Sequence, residues 1–160
     1  MRKLLALIVV LAVVTSMAGE AKCLGIFGSY WNGEDIDNGY GLGVKHKFQI
    51  IPIFAIDARA SWLSFSDDPV DLNMYPLEAT ALAKLGMFYG GVGAGYYIFD
   101  GKDVDLDNAA GGFILAGIEI ALGGLGVFGE LKYTWVESKV GDATVDASGA
   151  GVNVGVLLGF

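Results

Sequence analysis

The 160-residue sequence predicts an all-β fold: an eight-stranded, antiparallel, up-and-down transmembrane β-barrel, preceded by a cleaved signal peptide. Three observations predict it. Apolar residues recur at every second position over most of the chain, the period of a strand with two unlike faces. The composition is 54% hydrophobic with 25 glycines, a mixture that weakens helices by about 1 kcal/mol per glycine but that tightly packed strands use. The gaps between alternating stretches are short and long in strict turn, as in a barrel with one short-turned and one long-looped end.

The N-terminus is read separately. Arg2 and Lys3 precede the apolar run LLALIVVLAVV, which is followed by TSMAGEA. A basic start, a short apolar run and small residues form a secretory signal. A helix spanning a bilayer would need about 20 apolar residues. Cleavage after Ala18 or Ala21 fits, and Ala21 is preferred, giving residues 1–21 as signal peptide and 22–160 as one barrel domain. Cys23 raises a lipid-anchor alternative, which Lys22 opposes because it stands where such sites carry a small residue. As the single cysteine, Cys23 has no internal disulfide partner.

Eight strands are expected in order. The first, about 23–31, closes on Tyr30 before NGEDIDN. The second, 39–49, sets Tyr40, Leu42 and Val44 against Gly41, Gly43, Lys45 and Lys47. The third, 53–65, sets Ile56, Ala58, Ala60 and Trp62 against Asp57, Arg59 and Ser61. The fourth, 76–85, alternates Leu77, Ala79, Ala81 and Ala83 with Glu78, Thr80 and Lys84. The fifth, 87–99, carries Val92, Ala94 and Tyr96 between Gly91, Gly93 and Gly95. The sixth, 110–122, sets Ile114, Ala116, Ile118 and Ile120 against Gly117 and Glu119. The seventh, 127–137, sets Leu131, Tyr133 and Trp135 against Glu130, Lys132 and Thr134. The eighth, 148–160, ends in GVNVGVLLGF, whose even positions are all apolar. The short connections are at 50–52, Gly86 and 123–126. The long ones are at 32–38, 66–75, 100–109 and 138–147.

One face of these strands is charge-free, and the other is glycine-rich and nearly charge-balanced. The charged set is Lys45, Lys47, Asp57, Arg59, Glu78, Lys84, Glu119, Glu130 and Lys132. A water-facing surface would carry many charges and few glycines. Sparse, balanced charge suits a narrow lumen, where unpaired buried charge is costly. The apolar face gathers Tyr30, Tyr40, Trp62, Tyr96, Tyr133 and Trp135 toward the long loops, and Phe48, Phe54, Phe88, Phe128 and Phe160 toward the short turns. Two aromatic girdles around an apolar band point to a barrel in lipid.

The stretches YPLEATALAKL, MFYGGVGAGYYIFD, GGFILAGIEIAL, GVFGELKYTWVE and the terminal GVNVGVLLGF resemble the bacterial outer-membrane β-barrel superfamily of the OmpA and OmpX type. The resemblance implies residence in the outer membrane and both chain ends in the periplasm. It also implies that Phe160 is a terminal signal read by the barrel-assembly machinery. Larger members add a peptidoglycan-binding domain; with the sequence ending after the barrel, that function is not carried over.

Chemistry-bearing motifs are few. His46 is the single histidine, so clusters of several histidines around a metal are excluded. Some barrels of this type resemble lipid A deacylases with a Ser-His-acid set, but VKHKFQ offers no nearby serine, and His46 is expected to be interfacial. DVDLDN places Asp103, Asp105 and Asp107 like a calcium loop, yet Asn108 and Ile114 stand where an EF-hand needs Gly and Glu. No catalytic, cofactor or metal residues are therefore assigned, and no cofactor is expected. Thirteen acidic residues line the long loops against Lys102 and Lys139, which disfavours nucleic acid. Divalent cations bridging this rim to lipopolysaccharide are the partner expectation, with a monomeric barrel.

The expected function is a non-enzymatic, structural or surface-interaction role in the envelope. The alternative is a narrow pore or conduit for small solutes or hydrophobic molecules; a lipid-modifying enzyme ranks third. Deleting Phe160 is expected to stop the chain accumulating in the outer membrane. The measurement is an SDS gel of the membrane fraction, in which the fast-running unboiled band should vanish; undiminished accumulation would refute the signal.

Overall fold

The computed structural model describes residues 22–34, 38–67, 70–101, 107–140 and 143–159. The expected signal peptide and Phe160 lie outside the described residues, as do Asp35, Asp37, Asp68, Lys102, Asp103, Asp105 and Asp142 of the acidic rim and its opposing charges.

The strands are β1 (Lys22–Gly33), β2 (Gly39–Ile51), β3 (Phe54–Asp67), β4 (Val70–Leu85), β5 (Phe88–Gly101), β6 (Ala109–Leu122), β7 (Leu125–Val140), β8 (Ala143–Asp146) and β9 (Gly149–Leu158). Each of β1 to β7 pairs antiparallel with the next, and β9 pairs with both β7 and β1. Eight strands thus close on themselves with no free edge, while β8 pairs with β7 alone.

The three short connections are two-residue hairpins, with Ile51 opposite Phe54, Leu85 opposite Phe88 and Leu122 opposite Leu125. Gly123 and Gly124 both take positive φ, at 60° and 91°, the backbone of a type I′ turn whose twist matches the flanking strands. Lys22 and Leu158 lie at this same short-turn end, register-paired with Phe48 and with Leu24 and Leu125.

Two expected long loops are largely strand. Segment 66–75 reads as polar, yet β3 runs to Asp67 and β4 starts at Val70. The reason is the alternation of Leu72 and Met74, whose side chains turn inward with Leu63 and Phe65 and are buried. Pro76 has no N–H to give the ladder, and the recorded β3–β4 pairing skips from Ala60–Leu77 to Leu63–Met74 around it. The strand continues in unchanged register, so proline marks a gap in the strand rather than its start. Segment 138–147 likewise folds back as a hairpin, with Glu137 opposite Asp146. Val136 secures the return: its N–H donates to Ser148 Oγ at 3.0 Å and its carbonyl accepts from Ala147 N at 3.0 Å.

The outward face is the apolar one. Tyr40, Leu42, Val92, Leu131 and Val154 are all exposed, while the charged face is buried. Two expectations need correction. Phe128 is not part of the short-turn girdle. It shares the parity of Glu130 and Lys132, points inward, and meets Phe27 edge-on at 6.3 Å. His46 keeps its outward parity, but it is only 6% exposed because it packs on Phe48, with ring centroids 4.3 Å apart.

Glycines make room for the inward aromatics. A Cβ on Gly43 would enter the Phe27 ring, and one on Gly93 would enter the Phe113 ring. Gly43→Val is therefore expected to destabilise the refolded barrel by about 1–3 kcal/mol through overpacking. Gly129→Val should leave it unchanged, because a Cβ there meets nothing within 4 Å. Urea midpoints of the two variants in the same detergent check the contrast.

Candidate functional site: the lumen ion network

Inward side chains on one strand are two residues apart, hence about 6.6 Å along it. On β7 the inward series is Phe128, Glu130, Lys132, Thr134 and Val136, and it samples each level of the lumen from the short-turn end upward. The structure brings all nine charged residues singled out in the sequence into three groups along this series.

The central group is built on Glu130. Its Oε1 accepts from Arg59 Nη1 and from Asn153 Nδ2 at 2.9 Å. Its Oε2 accepts from Lys45 Nζ at 3.2 Å and from Tyr89 Oη at 2.9 Å. Four donors occupy the roughly four acceptor sites of one carboxylate. Asp57 completes the group, accepting from Arg59 Nη2 at 2.9 Å and lying 3.6 Å from Lys45 Nζ. Lys45 Nζ also sits 3.5 Å from the centroid of the Phe128 ring, where a desolvated cation is attracted to the π face. Two cations meet two carboxylates, so the group is neutral. Asp57 Oδ1, Arg59 Nε and Thr80 Oγ1 have no protein partner, and Asp57 and Thr80 are register neighbours on β3 and β4, a setting that suits a buried water.

Above it, Lys132 Nζ donates to both oxygens of Glu78 at 2.7 and 2.9 Å, and Tyr97 Oη donates to Glu78 Oε1 at 2.9 Å. Below it, Glu119 accepts from Lys47 and from Lys84 Nζ, the latter at 2.8 Å. This lowest group carries the one excess positive charge of the lumen, and its Lys84 is the most accessible member, with its side chain 17% exposed.

Apolar side chains cluster along the lumen. At the long-loop end, Trp31, Leu63, Met74, Tyr97, Phe99 and Val136 pack into one cluster, with Trp31 and Tyr97 edge-on at 6.5 Å. Lys132 Nζ lies 5.3 Å beneath the Trp31 ring, so this cluster roofs the upper ion pair. Phe27, Phe128 and Leu157 form another cluster, beside the central ion group, with Cys23 packed against them.

Sequence reasoning missed Tyr89, Tyr97 and Asn153 as members of the network. They share parity with the glycines of β5 and the odd positions of β9, which is the signal that would have found them. It also missed the apolar roof, having assigned Trp31 and Phe99 no role. His46 lies on the opposite side of the sheet from the lumen carboxylates, register-paired with Leu24 and Ala58. Among the described residues, no three of His, Cys, Asp and Glu converge on a metal position.

No protein-family model matches the chain, and no curated protein matches it in sequence. Solved structures do match. Neisserial surface protein A aligns at 12% identity over 87% of this chain and 96% of its own, with a TM-score of 0.65. OprG of Pseudomonas aeruginosa aligns at 13% identity over 87% and 95%, with a TM-score of 0.66. Ail, the attachment invasion locus protein of Yersinia pestis, aligns at 13% identity over 87% and 96%, with a TM-score of 0.54. The fold is that of the eight-stranded bacterial outer-membrane β-barrels.

Removing one side of a buried ion pair leaves the other charge uncompensated. Glu130→Leu strands Lys45 and Arg59 together and is expected to cost about 3–5 kcal/mol. Tyr89→Phe removes one donor to the same carboxylate and should cost about 1.5–3 kcal/mol. Equilibrium unfolding of the refolded barrels in urea measures both; equal midpoints for Glu130→Leu and wild type would remove Glu130 from the centre of the network.

Proposed function

We propose that this outer-membrane-type barrel is a closed, non-conducting element of the bacterial envelope that works through its outer surfaces, without enzymatic activity. One observation carries the reading. Among the described residues, side chains occupy successive levels of the lumen: a three-residue ion group, a neutral four-charge centre, a Glu78–Lys132 pair and an apolar roof. An eight-stranded barrel is just wide enough for side chains to fill it. The non-enzymatic reading is supported by His46 lying outside the lumen, on the face opposite every lumen carboxylate.

The long-loop rim is the working surface in this proposal, facing the cell exterior. Glu34, Asp107, Glu137 and Asp146 are among its acidic groups. The Ser148 side chain, together with its N–H donating to Asp146 Oδ1 at 2.9 Å, holds that carboxyl below its usual range. Such a rim attracts divalent cations and, through them, lipopolysaccharide phosphates. Ail of Yersinia pestis has been solved in complex with the heparin analogue sucrose octasulfate. An acidic rim would repel such a polyanion unless cations intervene. Export through residues 1–21, insertion by the barrel-assembly machinery through Phe160, and a monomeric state belong to the same proposal.

Planar-bilayer recording tests the closed lumen. The purified barrel is expected to give no discrete conductance steps. Clear steps that change on substituting Glu130 or Lys132 would establish a pore and overturn the reading.

A further inference from the structure

The three turns at the short-turn end are apolar in sequence. They read QIIPIF at 49–54, LGMF at 85–88 and LGGL at 122–125, without a charged residue. Their side chains do not fold back onto the barrel: Ile50, Ile53, Met87, Leu122 and Leu125 are exposed, and Leu85 is 82% exposed. Backbone groups of the first two turns are satisfied from within the protein. The Ile53 carbonyl accepts from Lys84 N and the Met87 carbonyl from Glu119 N, both at 2.8 Å. The Gln49 amide donates to the Phe54 carbonyl at 3.2 Å and also to the Ile51 carbonyl, so the polar side chain of the first turn is used within its own hairpin. In water such carbonyls could be left to solvent, whereas in lipid the protein must satisfy them itself.

The two ends of the outward belt also differ in kind. Toward the long loops it ends in Tyr30, Tyr40, Trp62, Tyr96, Tyr133 and Trp135, whose O–H and N–H groups suit the membrane–water interface. Toward the short turns it ends in Phe48, Phe54 and Phe88, which have no polar handle. On β7, Trp135 and Leu125 share the outward parity and stand ten residues apart, about 33 Å along the strand. At a tilt of about 40° that is about 25 Å of height, the whole apolar band of such a barrel. The hydrocarbon layer therefore reaches down to the turns, and the turns add no charged collar below it.

We propose that the three turns are immersed in the leaflet at their end of the barrel, with lipid acyl chains as the partner of Ile53, Leu85 and Met87. The inference rests on the reading that the outer face meets lipid, and goes beyond it by carrying the lipid contact around the tips of the turns. The tips repeat the same aliphatic chemistry around the circumference, continuous with the exposed belt of Val92, Ile118 and Val127. A ring of this kind suits a fluid partner that makes no directional contacts. The charge-bearing long-loop rim is then the barrel's one projecting surface for partners in water.

The test is electron paramagnetic resonance of the refolded full chain in dioleoylphosphatidylcholine vesicles. Single spin labels are placed through Ile53→Cys, Leu85→Cys and Met87→Cys in a Cys23→Ser background. Val92→Cys in the belt and Thr144→Cys, exposed on β8, are the references. A water-soluble nickel chelate is present on both sides of the vesicle wall. The turn labels should lose collisions with nickel and gain collisions with oxygen, as Val92→Cys does, while Thr144→Cys stays open to nickel. In thinner didecanoylphosphatidylcholine bilayers the turn labels should regain nickel contact, and Val92→Cys should not. Nickel contact at the turns equal to that at Thr144→Cys would overturn the proposal. So would shielding that persists unchanged in the thin bilayer, or that disappears when the chain is diluted in lipid, since protein would then be its source. Shielding at Val92→Cys without shielding at the turns counts against the turns alone; its absence at Val92→Cys as well counts against the membrane reading and the proposal with it.

Discussion

A carboxylate at the centre of an eight-stranded barrel has no bulk water within reach, so every donor that it needs must come from the wall. Glu130 meets this constraint with Lys45 from β2, Arg59 from β3, Tyr89 from β5 and Asn153 from β9. With Glu130 itself on β7, five of the eight barrel strands converge on one group. A slip of one residue in any of them would turn its partner to lipid and leave a charge unpaired. The network thus opposes register errors in a sheet whose apolar outer face discriminates only weakly among them, since lipid accepts most apolar side chains.

The same narrowness explains the glycines. Large inward rings and long cationic chains must share a cross-section that only a few side chains can occupy. Gly43 and Gly93 face Phe27 and Phe113 so closely that a single added carbon would collide with the ring. Aromatic faces in turn serve the cations: Lys45 lies against Phe128, and Lys132 lies beneath Trp31 and beside Phe113. Packing and electrostatics are thereby solved with the same residues.

At the long-loop end the apolar roof does a second task. Leu72 and Met74 from the β3–β4 hairpin, and Val136 and Ala147 from the β7–β8 return, are members of one cluster with Trp31 and Tyr97. Segments that carry rim charges are anchored through the barrel's own core. Glu34 and Asp146 gain their fixed positions in this way, through Ser148, whose hydroxyl is tied to Val136.

The sequence by itself determined the barrel, its eight crossing strands, the charge-free outer face and the nine charged lumen positions. Period-two alternation is local, and a charge in a lipid-facing row would be expelled, so both features can be read one strand at a time. Only the tertiary structure decided which charge meets which. Glu130 and Lys132 are two residues apart and face the same lumen, yet one joins Arg59 and the other Glu78, because that choice depends on the stagger of strands far apart in sequence. The same holds for Leu72 and Met74, where polar neighbours disguised a strand that Leu63 and Phe65 pull inward, and for Phe128, whose parity alone could have placed it.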